Sequence, residues 1–240
     1  MKDPMIARGC GSELASFLMH LFSLDAADRP KHAARFRAHF IEAVRACARD
    51  PHLVSERHRW ASQSYCHANG FVKLVAYASP CSRFRLRVHV WPPGCERQRL
   101  NVHNHRYAFV SLVVRGQIDD YLWRPSANGL LFKRFVYRPR NDDGYYAHEH
   151  TGNAALEIAD VRRHTAGTLY SLGPGDFHYT APVSGTSPVT FFAEDRRALQ
   201  QDALTYSRHH RPDDNRVYTP ALSPDRYSAL LSDYVLDYIA

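Results

Sequence analysis

Residues His103 to Gly116 constrain this chain more than any other stretch. They read His-Asn-His-Arg-Tyr-Ala-Phe-Val-Ser-Leu-Val-Val-Arg-Gly, and the spacing predicts one strand. Alternation places His103, His105, Tyr107, Phe109 and Ser111 on one face and Leu112 and Val114 on the other. Two imidazoles two residues apart then enter the same space, which is the spacing a metal needs from a strand. A buried, hydrogen-bonded pair of histidines would give the same pattern, so a third ligand has to decide.

Downstream, Gly167 to Leu172 predicts a second strand, Gly173-Pro174-Gly175-Asp176 a tight turn, and His178 follows it. Together the two segments resemble the paired motifs of the cupins. The first motif of that superfamily runs G-x5-H-x-H-x3-E-x6-G, and His103, His105 and Gly116 match it in register. The second runs G-x5-P-x-G-x2-H-x3-N, and Gly167, Gly175 and His178 match, with the proline moved by one to Pro174. The resemblance covers about residues 70 to 195 and implies that His103, His105 and His178 are metal ligands. It also implies a mainly β fold, a cupin barrel (double-stranded β-helix, jelly roll) with two N-terminal helices and a C-terminal helix packed outside. The expected organisation is one domain over 1–240, with a helical segment to residue 51, a barrel over 70–195, and an irregular segment plus helix from 205.

The chain departs from the motifs at Arg97, Phe109 and Pro182, which stand where cupins place a glycine, a glutamate ligand and an asparagine. Three histidines without a carboxylate are most similar to the thiol and diketone dioxygenases among cupins. That resemblance implies ferrous iron, dioxygen and an anionic small-molecule substrate, because a neutral ligand set leaves the metal's charge uncompensated. Val189 to Asp195 follow the third ligand where thiol dioxygenases carry a Ser-His-Tyr segment, so thiol oxidation itself is not implied. Zinc, nickel or copper suit the same imidazoles, and a zinc or nickel isomerase or lyase is the alternative enzyme. A non-enzymatic ligand-binding cupin is the third reading.

Arg83 to Trp91 alternates cleanly: Phe84, Leu86, Val88 and Val90 share one face, and Arg85, Arg87, His89 and Trp91 the other. The strand resembles the one preceding the first motif in cysteine-dioxygenase-like proteins, where the parity of His89 and Trp91 looks into the pocket. Arg85 and Arg87 then become candidates to pair a substrate anion, with solvated surface arginines as the plain alternative. Lys73 lies near where that family carries a carboxylate-binding arginine. Phe109 and Ser111 share the histidines' face as substrate contacts, and Tyr107 and Tyr170 are candidates to orient an oxygen-derived group.

Lys and Arg outnumber Asp and Glu by 31 to 24, a formal charge of +7. The arginines are scattered and no binding motif accompanies them, so an anionic small molecule is expected over nucleic acid. Cys10, Cys47, Cys66, Cys81 and Cys95 are odd in number and lack metal spacing, which suits reduced thiols and a cytoplasmic protein. No run approaches the roughly 18 apolar residues of a membrane span, and no membrane partner is expected. Cupins are frequently dimeric, so the resemblance implies a homodimer.

Along the rest of the chain, Ser12 is placed to cap a helix with Leu14, Phe17, Leu18, Leu21 and Phe22 on its apolar stripe. Pro30 opens a second helix, with Phe36, Phe40, Ile41 and Val44 inward until Asp50-Pro51. Asn128-Gly129 predicts a hairpin turn between Gln117–Trp123 and Leu130–Tyr137, and Asp143-Gly144 a second turn. His148 and His150 form another His-x-His, read as pocket rim or surface, and Glu157 is the nearest carboxylate that another strand could supply. Tyr206 to Ser223 reads as irregular, and Ser223-Pro224 opens a helix with Tyr227, Leu230, Leu231, Tyr234, Val235 and Tyr238 on one face.

Overall fold

The period of two that begins at Phe71 becomes two antiparallel sheets, and the helices cover one of them. The computed structural model describes residues 7–49, 51–67, 69–78, 83–92, 101–141, 143–197, 202–208 and 216–236. Three helices come first, α1 (Ala7–Ser23), α2 (Ala33–Arg49) and α3 (Val54–Ser62). Short strands β1 (Tyr65–His67), β2 (Phe71–Ala78), β3 (Phe84–Val90) and β4 (Val102–His103) follow. Next come β5 (Ala108–Arg115), β6 (Gln117–Arg138), β7 (Tyr145–Thr165) and β8 (Leu169–Leu172). The chain then adds β9 (Phe177–Pro182), β10 (Val189–Asp195), β11 (Leu204–Ser207), β12 (Arg216–Tyr218) and helix α4 (Pro224–Leu231).

One sheet has the order β1-β2-β3-β10-β5-β8 and the other β11-β4-β9-β6-β7-β12. The pairings are nested: β6 with β7, β5 with β8, β4 with β9, β3 with β10. A two-stranded ribbon that closes on β6–β7 is therefore wound so that successive turns fall in alternate sheets. That is the double-stranded β-helix, or jelly roll, expected from the motifs.

The largest apolar cluster lies outside the ribbon. It joins Leu86, Val88, Leu112 and Phe191 on the outward parity of the first sheet to Leu18, Phe36, Phe40, Val44 and Tyr227 on the helices. Phe40 stacks on Phe191 with ring centroids 4.1 Å apart. Each large side chain buried this fully contributes about 1.5–3 kcal/mol. The opposite parity of the same strands faces the barrel interior and mixes polar side chains, Arg85, Arg87, His89, Ser111 and Glu194, with the apolar Phe109 and Phe192.

Several local expectations are corrected. His103 to Gly116 is not one strand: His103 ends β4 in the second sheet, and the chain crosses to the first sheet over residues 104–107 before β5 begins. Asn128-Gly129 does not close a hairpin. Pro125 and Leu130 both face Leu156 of β7, so residues between them bulge from one long strand whose halves share a partner. A Cβ at Gly129 would meet the Leu156 backbone at 2.5 Å, which accounts for the glycine. β6 and β7 are connected between Arg138 and Tyr145, where the second expected turn holds Gly144 at φ 86°.

Helix α1 begins before Ser12, which therefore lies inside it. Pro30 opens a 3-10 turn (Arg29–His32) that leads into α2. Helix α3 was not anticipated, because its sequence is short and mostly polar and it buries only Trp60 and Ala61. Ser223 caps α4 as expected, accepting from the Arg226 N–H at 3.2 Å. The segment read as irregular contains the end of β11 and all of β12, and Tyr238 and Arg97 lie outside the described residues. Among the described residues no helix is long and apolar enough to cross a membrane.

Candidate metal centre

Strands β4 and β9 pair through a single register point, His103 opposite His178. His105 joins them from the crossing that follows β4, and Asn104 between the two histidines explains why. Buried at 2% exposure, Asn104 donates from Nδ2 to the Pro174 carbonyl at 2.9 Å and accepts the Leu204 N–H at 2.6 Å. Fixed this way, the corner turns both flanking imidazoles to the same side.

The three rings form a near-equilateral triangle, with centroids 5.0, 5.0 and 5.2 Å apart. One ligating nitrogen from each lies within 4.8 Å of the others, and no other such group occurs among the described residues. The outer nitrogens are tied down. His103 Nδ1 meets the Asn101 carbonyl at 3.0 Å, and His178 Nδ1 meets Asp120 Oδ1 at 2.7 Å. Oxygens of those kinds only accept, so both rings carry hydrogen on Nδ1 and, when neutral, direct an Nε2 lone pair inward. His105 Nε2 and His178 Nε2 stand 3.0 Å apart, a distance that needs a shared proton or an intervening cation. This donor set fits a divalent transition metal, and neutral imidazole suits zinc, copper, iron and nickel alike.

Burial and then the neighbouring His178 push His103 down to about 4. Burial and then His103 hold His105 well below the ordinary histidine range. Both are thus neutral near pH 7, as metal ligands must be. Burial alone would raise the Asp120 carboxyl, but the charge and hydrogen bonds of His178 and His164 outweigh it and hold Asp120 well below the usual range.

Phe109, at the position of the cupin glutamate, is 1% exposed, sets its ring edge-on to His105 at 4.6 Å and stacks on Phe192. With Leu172 and Phe192 it forms an apolar wall on one side of the triangle. The carboxylate absent from the ligand set appears instead one bond further out, as Asp120. Its signal in the sequence is parity: Asp120 follows Ile118 on the buried side of β6, where an unpaired acid would be costly.

A cavity of about 740 Å³ opens beside His103 and His105. Lys73, Arg85, Arg87 and His89 line it from the inward parity of β2 and β3, and Tyr107 from the crossing. Trp91, Phe109, Ser111 and Tyr170 are not among its lining residues. Trp91 packs on Phe71 and His89, and Ser111 sits opposite Phe192 and Tyr170 in the sheet. Tyr170 lies behind Phe109, stacked on His164 at 4.1 Å. Of the second His-x-His, His148 is buried and lines the cavity while His150 is exposed. Glu157 is paired with Arg124 at 2.7 Å on the surface, away from the triad.

Sequence reasoning also missed Glu194. Its Oε2 meets Arg87 at 2.7 Å, and its Oε1 lies 3.9 Å from Arg85 and 3.7 Å from Arg196. Burial, then Arg87, holds Lys73 well below the lysine range and brings Arg85 down to about 10.

No protein-family profile matches the chain, and no curated protein matches it in sequence. Among solved structures it is similar to a cupin-like protein of Thermotoga maritima, at 10% identity over 66% of this chain and 83% of that one, with a TM-score of 0.33. A cupin 2 domain-containing protein of Halorhodospira halophila matches at 13% identity over 72% and 85% of the two chains, with a TM-score of 0.30. Hydroxypropylphosphonic acid epoxidase of S. wedmorenis matches at 12% over 53% and 51%, with a TM-score of 0.31. These are likenesses of fold. The strand pairing defines that fold here, and superpositions at this level carry no chemistry from those proteins to this one.

Proposed function

We propose that this protein is a metal-dependent enzyme, a non-haem Fe(II) oxygenase that acts on an anionic small molecule. The observation that carries the reading is the three-histidine triangle, without a carboxylate ligand, at the edge of a cavity lined by seven Lys and Arg side chains and one acid. Ferrous iron bound there would supply adjacent open positions for a chelating substrate and dioxygen, together with the electrons that reduce oxygen.

The chain's own groups do the remainder. Asp120 fixes the His178 ring and raises its donor strength through the Nδ1 hydrogen bond. Phe109, Leu172 and Phe192 keep water from one side of the centre. Lys73 and the arginines of β3 draw the substrate's negative charge toward the histidines. Tyr107, which lines the cavity with its hydroxyl 3.5 Å from Arg196, would hand a proton to a reacting oxygen.

Anaerobic iron loading followed by oxygen-uptake assays against thiols, diketones and amino acids tests the reading. Stoichiometric iron with substrate-dependent oxygen consumption is expected. Tight zinc retention with no oxygen consumption rejects it and favours the zinc isomerase or lyase, for which three histidines backed by a carboxylate are equally suited.

A further inference from the structure

Among the described residues that line the cavity, seven Lys and Arg side chains face one carboxylate. Glu194 is the one carboxylate among the described residues that line it, and three guanidinium groups share it, those of Arg85, Arg87 and Arg196. Lys73 and Arg106 line the same space, and among the described residues neither forms an ion pair with a carboxylate. Among the described residues the Lys73 ammonium meets the neutral Tyr65, its hydroxyl at 3.3 Å and its ring at 5.4 Å, and Arg106 lies over the Tyr137 ring at 5.6 Å. Nε of Arg85 and Nε of Arg87 are buried without a hydrogen-bond partner. Burial and the charges of Arg87, Arg85 and Arg106 destabilise the Lys73 cation, so these groups act on one another.

Cations gathered in a part-buried space are costly until an anion joins them, and a single carboxylate has too few lone pairs and too little charge to serve them all. We propose that this end of the cavity, beside His103 and His105, is a subsite for a compact dianionic group on the substrate, a phosphoryl or phosphonyl group or a vicinal dicarboxylate, held by Lys73, Arg87 and Arg106. The inference rests on the reading of the cavity as the substrate site and narrows it from any anion to a dianion. Glu194 then acts as a stand-in counter-charge: it holds Arg87 extended in the empty state and competes with the incoming group.

Calorimetric titration of the metal-free full-length protein with inorganic phosphate, succinate and acetate, near pH 8 and at fixed ionic strength, tests this. One of the two dianions binds at least about tenfold more tightly than acetate, and which one it is separates the phosphoryl from the dicarboxylate source. Lys73→Met and Arg106→Gln each weaken that dianion about tenfold, while Glu194→Gln tightens it. Equal affinity for acetate and both dianions overturns the proposal, as does unchanged affinity in a Lys73→Met or Arg106→Gln protein that keeps its circular dichroism and metal binding. The two readings fail separately. Dianion preference without iron or oxygen use leaves the subsite standing and removes the oxygenase, and oxygenase activity without dianion preference does the reverse.

Discussion

The side-chain amide of Asn104 donates to the carbonyl of Pro174 at 2.9 Å, and so ties the corner that carries His103 and His105 to the turn that precedes His178. Two segments some seventy residues apart are locked together by a residue that takes no part in metal ligation. Asn104→Ala removes the acceptor of the Leu204 N–H and the donor to the Pro174 carbonyl, at a cost of about 1–3 kcal/mol in stability. Metal affinity falls as well, because His105 loses its fixed orientation. A thermal melt with and without added metal reads both effects, and a variant with wild-type metal affinity would show that the corner holds itself.

Asp120 sits behind His178 at 2.7 Å and is almost fully buried. Asp120→Asn or Asp120→Ala lowers metal affinity by about 10–100-fold, the usual range for loss of a hydrogen bond behind a ligating histidine. Chelator competition measures it. A loss smaller than threefold in a folded variant would mean that the Asp120 bond only supports β6.

Phe109→Glu introduces a carboxylate where the motif resemblance expects a glutamate ligand. Without metal the variant loses about 3–5 kcal/mol from the missing ring, plus the cost of burying an acid. Added metal raises its melting temperature by more than it raises that of the native protein, since the new carboxylate gains a partner. Equal metal-induced shifts in the two proteins would show that this side chain does not reach the centre.

Asp195 supplies the pH dependence least entangled with the metal. Burial pushes its carboxyl up, but Arg83 and Arg197, donating at 3.2 and 2.8 Å, outweigh that and hold it below the ordinary carboxylate range. A carboxylate depressed in the folded state stabilises the protein above its unfolded value and loses that contribution as pH falls through the folded one. Asp195→Asn is therefore less stable than the native protein at pH 6, and the difference shrinks below about pH 4. Urea unfolding at several pH values checks this, and a gap that stays constant to pH 2 would exclude the linkage.

Much of the frame was legible because strand parity is a local rule. The alternation from Phe84 to Val90 separates the outward apolar row from Arg85, Arg87 and His89, and the structure places the two rows on opposite faces. The convergence of His103, His105 and His178 was implied by the resemblance to the paired cupin motifs. What escaped depends on partners far along the chain. The crossing at 104–107 exists because β4 and β5 pair in different sheets, and the bulge at Asn128-Gly129 exists because both flanks find β7. Asp120 and Glu194 carried no motif, and only the strands opposite them reveal what each carboxylate holds.

The ribbon rests its apolar side on helices, so cohesion and chemistry use opposite surfaces of the same strands. Lumen residues such as His89, Thr190 and Phe192 can then be exchanged for others without loosening the contact between Phe40 and Phe191 that anchors the wall from behind. A scaffold built this way can take on a new ligand by rewriting its inner lining, while the outer seam continues to hold the molecule together.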